Sequence, residues 1–175
     1  AHTGDWLKTK QRTIRDSFPE NLGLRVHRAI SWILKAETER DPDGQFIFLW
    51  IALNACYAEY GIDINARPER NKLGAFFEKI VGLDSENLIY KAIWEHYSQP
   101  IRLILSNKHV FEPFWSHHNA IKGYEHWEAS FEKAKISALL ALKEKNPAQV
   151  LNIIFDRLYV LRNQLVHGGS THNSQ

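Results

Sequence analysis

The run Phe46-Ile-Phe-Leu-Trp-Ile-Ala-Leu-Asn-Ala-Cys-Tyr57, coiled as a helix, is apolar on nearly every side and is interrupted only by Asn54. Crossing a bilayer takes roughly 20 apolar residues, so a run this short has to be buried in protein. A helix without a polar face belongs at the centre of a bundle, surrounded by other helices. The rest of the chain agrees with that demand. Apolar residues recur at helical spacing, and no segment alternates apolar and polar between turn residues as a strand would. Six Trp and a hydrophobic fraction of 44% supply the bulk for a sizeable core. The expected fold class is all-α.

Caps and breakers divide the chain into helices over 5–17 (with Asp5 as cap), 19–39 (opened by Pro19), 45–60, 71–81, 85–97, 124–145 and 147–167. In the second, Leu24, Ile30, Ile33 and Leu34 form the apolar side. Arg40-Asp-Pro-Asp-Gly44 reads as a turn, Gly61 ends the third helix, Gly82 separates the next two, and Pro100 interrupts the chain after them. Residues 107–123 read as an irregular insertion. Asn146-Pro147 starts the last helix and Gly168-Gly169 follows it. One domain over 1–168 with a flexible tail over 169–175 is the expected organisation. A lone Cys56 permits no disulfide within the chain and suits a reducing, cytoplasmic setting. The stretch 1–10 lacks the apolar segment of a secretory signal. A net charge of +2 announces no strong field for nucleic acid, although the first forty residues are more basic than the rest.

Nucleotide loops, metalloprotease spacing and nucleophile elbows are missing. His117, His118 and His126 fit no standard zinc spacing and read as surface or core histidines, so no metal and no cofactor is expected. The final helix is more informative. Val150, Ile154, Leu158, Leu161 and Leu165 form one apolar stripe, while Phe155, Tyr159 and Val166, flanked by Ile153 and Val160, make a second patch. Asn152, Asp156, Asn163 and His167 align in a narrow polar strip, with Arg162 beside it. A polar strip framed by apolar residues should line a cleft or an interface. Arg162 and His167 near a helix end are equally explained by the helix dipole and by pairing of Arg162 with an acidic neighbour. Asn54 reads as a satisfied buried amide, or as a residue approaching the active cleft.

The segment Arg157-Leu-Tyr-Val-Leu-Arg-Asn-Gln-Leu-Val-His-Gly-Gly169 resembles the closing motif of HEPN domains: Arg, a polar residue, a short spacer, then His. The run 46–57 also resembles the buried central helix of the Apea-like HEPN group. The resemblance implies a four-helix core with extra helices and a metal-independent endoribonuclease acting on RNA, in defence or toxin–antitoxin biology. It implies Arg162, Asn163 and His167 as the catalytic set, with Arg162 and Asn163 also contacting substrate. It further implies a homodimer joined through the last helix, and an antitoxin or defence partner. Non-catalytic relatives imply an alternative, a module that binds RNA, nucleotide or protein. In the toxin branch regulated by nucleotidyltransferases a modifiable Tyr lies two residues beyond the motif His; here that position is Gly169.

Overall fold

The computed structural model describes residues 3–57 and 69–169, and every regular element among them is helical. In chain order these are α1 (Gly4–Ile14), α2 (Glu20–Thr38), α3 (Pro42–Tyr57), α4 (Glu69–Leu83), α5 (Leu88–Lys91), α6 (Ser98–Leu105), α7 (Glu112–His118), α8 (Trp127–Lys143) and α9 (Pro147–Val166). Short 3-10 turns cover Arg15–Ser17 and Lys108–Val110, and a wide π turn covers Ala92–His96. The all-α expectation is met. No helix among the described residues is long and apolar enough to cross a membrane. The expected end of the third helix at residues 60 and 61, and the tail over 170–175, lie outside the described residues.

Several boundaries differ from the sequence reading, each for a local reason. Thr3, not Asp5, caps α1: its hydroxyl accepts from the Trp6 amide at 3.3 Å, which leaves Asp5 inside the first turn. The first helix tightens into a 3-10 turn after Ile14 instead of continuing to Ser17. The expected turn over 40–44 is shorter, because Asp41 accepts from the Gly44 amide at 2.8 Å and Pro42 enters the first helical position. Gly82 does not break α4, which runs on to Leu83. Asp84 then accepts from the amides of Leu88 and Ile89 at 2.8 and 2.7 Å, starting α5 later than position 85. Pro100 lies within the first turn of α6, where its missing N–H would be unpaired in any case. Residues 107–123 are less irregular than expected and contain α7.

The chain packs as two compact units. Among the described residues, one holds α1, α2 and α3 together with residues 165–169; the other runs from α4 to Gln164. In the first, Gly4 lets α1 press against α2: a Cβ there would stand 2.7 Å from Leu34 Cδ2, while the Gly4 amide donates to Glu37 Oε1 at 2.7 Å. Trp32 stacks on Phe48 across α2 and α3 at 5.7 Å. Only Trp50 and Ala52 of α3 are buried, and Leu49 is 46% exposed, so this helix is not enclosed on all sides as expected. Leu24, assigned to the apolar side of α2, is also exposed. Asn54 is a satisfied amide, accepting from the Tyr57 hydroxyl at 2.8 Å.

In the second unit, Ile93, Ile101, Leu105, Ala138, Ala141, Val150 and Ile154 form one buried cluster. The two alanines let α8 approach its neighbours closely. The Trp94 indole N–H donates to the Leu142 carbonyl at 3.0 Å, fastening the π turn to the end of α8. Phe77, 2% exposed, packs its ring 4.8 Å from that of Phe155. Phe77→Ala is expected to destabilise this unit by about 3–5 kcal/mol through lost burial and a residual cavity. A fall in the urea midpoint without a change in denaturant slope would register it.

Candidate functional site

The register of α9 is set where it begins. Asn146 Oδ1 accepts from the Gln149 amide at 3.1 Å, and Val150 and Ile154 enter the core one turn apart. From that anchor, successive side chains rotate by about 100° per residue. Arg162 and Asn163 fall in the last turns, both half-buried, and Arg162 Nη1 donates to Asn163 Oδ1 at 2.8 Å. Arg162 also lies over the Tyr159 ring, 5.5 Å from its centroid. No carboxylate among the described residues pairs with Arg162. Pairing with an acidic neighbour is therefore not its role among these residues. His167 stands one residue beyond Val166, the last residue of α9, and is exposed. Gly168 follows with φ +68°, a left-handed conformation that suits glycine and ends the helix.

The start of the expected polar strip is taken up inside the second unit. A Cβ on Gly74 would lie 3.1 Å from Asn152 Oδ1, so α4 runs directly over Asn152. Asp156 Oδ1 pairs with Arg70 Nε at 3.4 Å, and Arg70 Nη2 pairs with Glu112 Oε2 at 2.7 Å. The Arg70 guanidinium also sits 5.2 Å from the Tyr159 ring centroid, so Tyr159 meets two cations. The second apolar patch is likewise not a free face. Phe155 packs on Phe77, Tyr159 faces the guanidinium groups, and Val166 alone of the three is exposed.

These contacts shift the charges unequally. Burial opposes the charge on Arg70, but its hydrogen bond to Glu112 and the charges of Asp156 and Glu112 outweigh burial, and its pKa rises. For Asp156 burial comes first and lifts the carboxyl above its usual range; Glu112 adds repulsion, and the attraction of Arg70 and Arg157 does not cancel the two.

Arg157, which the sequence offers only as the start of a motif, is the buried cation among the described residues of the unit, 4% exposed. Its guanidinium lies 4.3 Å from the centroid of Phe111 and 5.4 Å from that of Phe131. The signal was present: Arg157 falls on the face shared by Ile153 and Val160, which turns inward. Arg70 and Glu112, on separate elements, carried no such signal. His117 and His118 belong to an aromatic group on α7, with His118 stacked 6.1 Å from Phe114 and His117 6.4 Å from Trp127. Among the described residues no three His, Cys, Asp or Glu side chains group as a metal site. Cys56 is half-buried, which pushes its thiol pKa up.

The chain matches no known protein family, no curated protein and no solved structure.

The raised pKa of Asp156 carries a sign. The folded chain holds this proton more tightly than the unfolded chain, so Asp156 favours folding most at low pH, and the benefit fades as pH rises through its folded pKa. Relative to Asp156→Asn, the wild type should therefore lose stability as pH rises above about 4, the ordinary Asp value. Urea midpoints of both proteins across a pH series check this; a constant difference contradicts it.

Proposed function

We propose that the protein is a metal-independent endoribonuclease of HEPN type, with Arg162, Asn163 and His167 as its working residues. The observation that carries the reading is the state of Arg162, a half-buried guanidinium held by Asn163 and Tyr159 with no carboxylate on it among the described residues. A cation so placed is available to an anionic substrate. Its forked donors suit the extra negative charge of a phosphorane in RNA cleavage. An imidazole can move protons near neutral pH, and exposed His167 is open to solvent and to an RNA chain.

In this scheme His167 accepts the proton of the substrate 2′-hydroxyl as that oxygen attacks the adjacent phosphorus. The bond from phosphorus to the 5′-oxygen breaks, and the departing oxygen takes up a proton from the imidazolium. The products are a 2′,3′-cyclic phosphate and a 5′-hydroxyl. Asn163, bonded to Arg162, fixes the guanidinium and leaves its own amide N–H groups for phosphate. A second copy of the chain brings a second motif into the same cleft, as the resemblance implies, and a defence or antitoxin partner would act on this site.

Cleavage should persist in EDTA, spare DNA and 2′-O-methyl RNA, and vary with pH. Arg162→Ala and His167→Ala should each lower the rate by about 10²–10⁴-fold with the thermal midpoint nearly unchanged. Mass spectrometry of the new ends is decisive: a 5′-phosphate product, or activity only with added magnesium, overturns the mechanism. RNA binding without turnover would favour the non-catalytic alternative. Light scattering should report a dimer at tens of micromolar, roughly where weak interfaces populate. A monomer there removes the composite cleft.

A further inference from the structure

A cleft of about 330 Å³ opens in the second unit beside α9, with Phe111, Pro113, Ile153 and Val160 among its walls and Arg157 and Arg70 among its polar lining. Its size is at the small end of the roughly 300–1,000 Å³ typical of small-molecule sites. One wall, the segment leading into α7, is fastened to the helices at two points. Gln164 Nε2 donates to the His109 carbonyl at 2.7 Å, and Glu112 pairs with Arg70 at 2.7 Å. The shape is therefore built rather than incidental.

Arg157 is the unbalanced group in it. The side chain is 4% exposed, Nη1 is sealed from solvent without a hydrogen-bond partner, and no hydrogen bond or ion pair to Arg157 exists among the described residues. Phe111 and Phe131 offer their rings to the guanidinium, which leaves Nη1 unsatisfied. A buried donor left unpaired is costly, and more so when it is charged. Burial accordingly draws the Arg157 pKa down, against the pull of Asp156.

We infer that this cleft binds a small organic carboxylate, its negative charge on Arg157 and its apolar body against Phe111, Pro113, Ile153 and Val160. The charges around the cleft select the class. Two cations, Arg70 and Arg157, and two carboxylates, Glu112 and Asp156, make the lining neutral, and both carboxylates are paired with Arg70, so Arg157 is left as the place for a single negative charge. A phosphate dianion, or the polyanionic backbone of RNA, would bring excess charge toward two carboxylates. A carboxylate also matches the planar fork of a guanidinium. At about 100° per residue, Ile153, Arg157 and Val160 point away from Arg162 on α9, and carboxylate binding here is independent of ribonuclease activity.

Calorimetric titration of the full chain with benzoate, benzamide and phenyl phosphate tests it. Benzoate should bind saturably in the millimolar range, and benzamide, which keeps the shape without the charge, at least roughly tenfold more weakly. Arg157→Met should abolish benzoate binding. Ser137→Trp, an exposed position on the cleft wall, should abolish it too while leaving Arg157 in place. Arg162→Ala should bind as the wild type does. Should Arg157→Met not fold, Ser137→Trp decides. Equal binding of benzamide, tighter binding of phenyl phosphate, undiminished binding in Ser137→Trp, or no saturation by about 50 mM benzoate overturns the assignment.

Discussion

Burial of Val150 and Ile154 among Ile93, Ile101, Leu105, Ala138 and Ala141 fixes how α9 is rotated about its axis, and every polar group on that helix is placed by that rotation. With these two side chains inward, Arg157 is carried under Phe111 and Phe131, Asp156 toward Arg70, and Arg162 beside Tyr159. Turning the helix by one residue would expose apolar surface and carry the Asp156 carboxylate away from Arg70, so the packing and the charges enforce the same orientation. The packing is the stronger constraint. An exposed ion pair contributes at most about 1 kcal/mol, whereas each buried aliphatic side chain contributes about 1.5–3 kcal/mol.

Helical class and the core of α9 were legible in the sequence because both rest on periodicity, a property of neighbouring residues. Val150 and Ile154 were placed correctly from spacing alone, as was the start of α9 from Asn146-Pro147. Boundaries were less legible where one hydrogen bond moves them, as Thr3 and Asp41 do at the starts of α1 and α3. The enclosure of α3 was misjudged, since an apolar sequence states what a helix tolerates and not how many neighbours cover it; Leu49 remains open. At the candidate site, the Arg162–Asn163 contact lies between adjacent residues and follows from their order. Arg70 could not be foreseen, because its two acids lie 42 and 86 positions away in the chain (112 − 70 and 156 − 70).

Arg70, Arg162 and Arg157 show three different ways of keeping a guanidinium. Arg70 is held by two carboxylates and is strengthened as a cation. Arg162 is held by a neutral amide and a phenol ring, which orient it and leave its charge uncompensated. Arg157 has only aromatic faces and is weakened as a cation by burial. Residue type alone would have made the three equivalent; partners make one a structural tie, one a candidate for phosphate and one a candidate for carboxylate.

The π turn over Ala92–His96, closed by the Tyr97 amide on the Ala92 carbonyl at 2.9 Å, has a consequence for sequence length. Such a turn holds one residue more than an α turn and so sets the following side chains back by about 100°. Ile93 and Ile101 are eight positions apart, a separation that would point them away from each other by about 80° on an unbroken α-helix, yet both are buried in the same cluster. The wide turn, together with the bend at Tyr97 (φ −118°, ψ 17°) that follows it, thus acts as an inserted residue already absorbed by the fold. Gain or loss of a single residue has a place to occur here, between α5 and α6, without turning either helix out of the core.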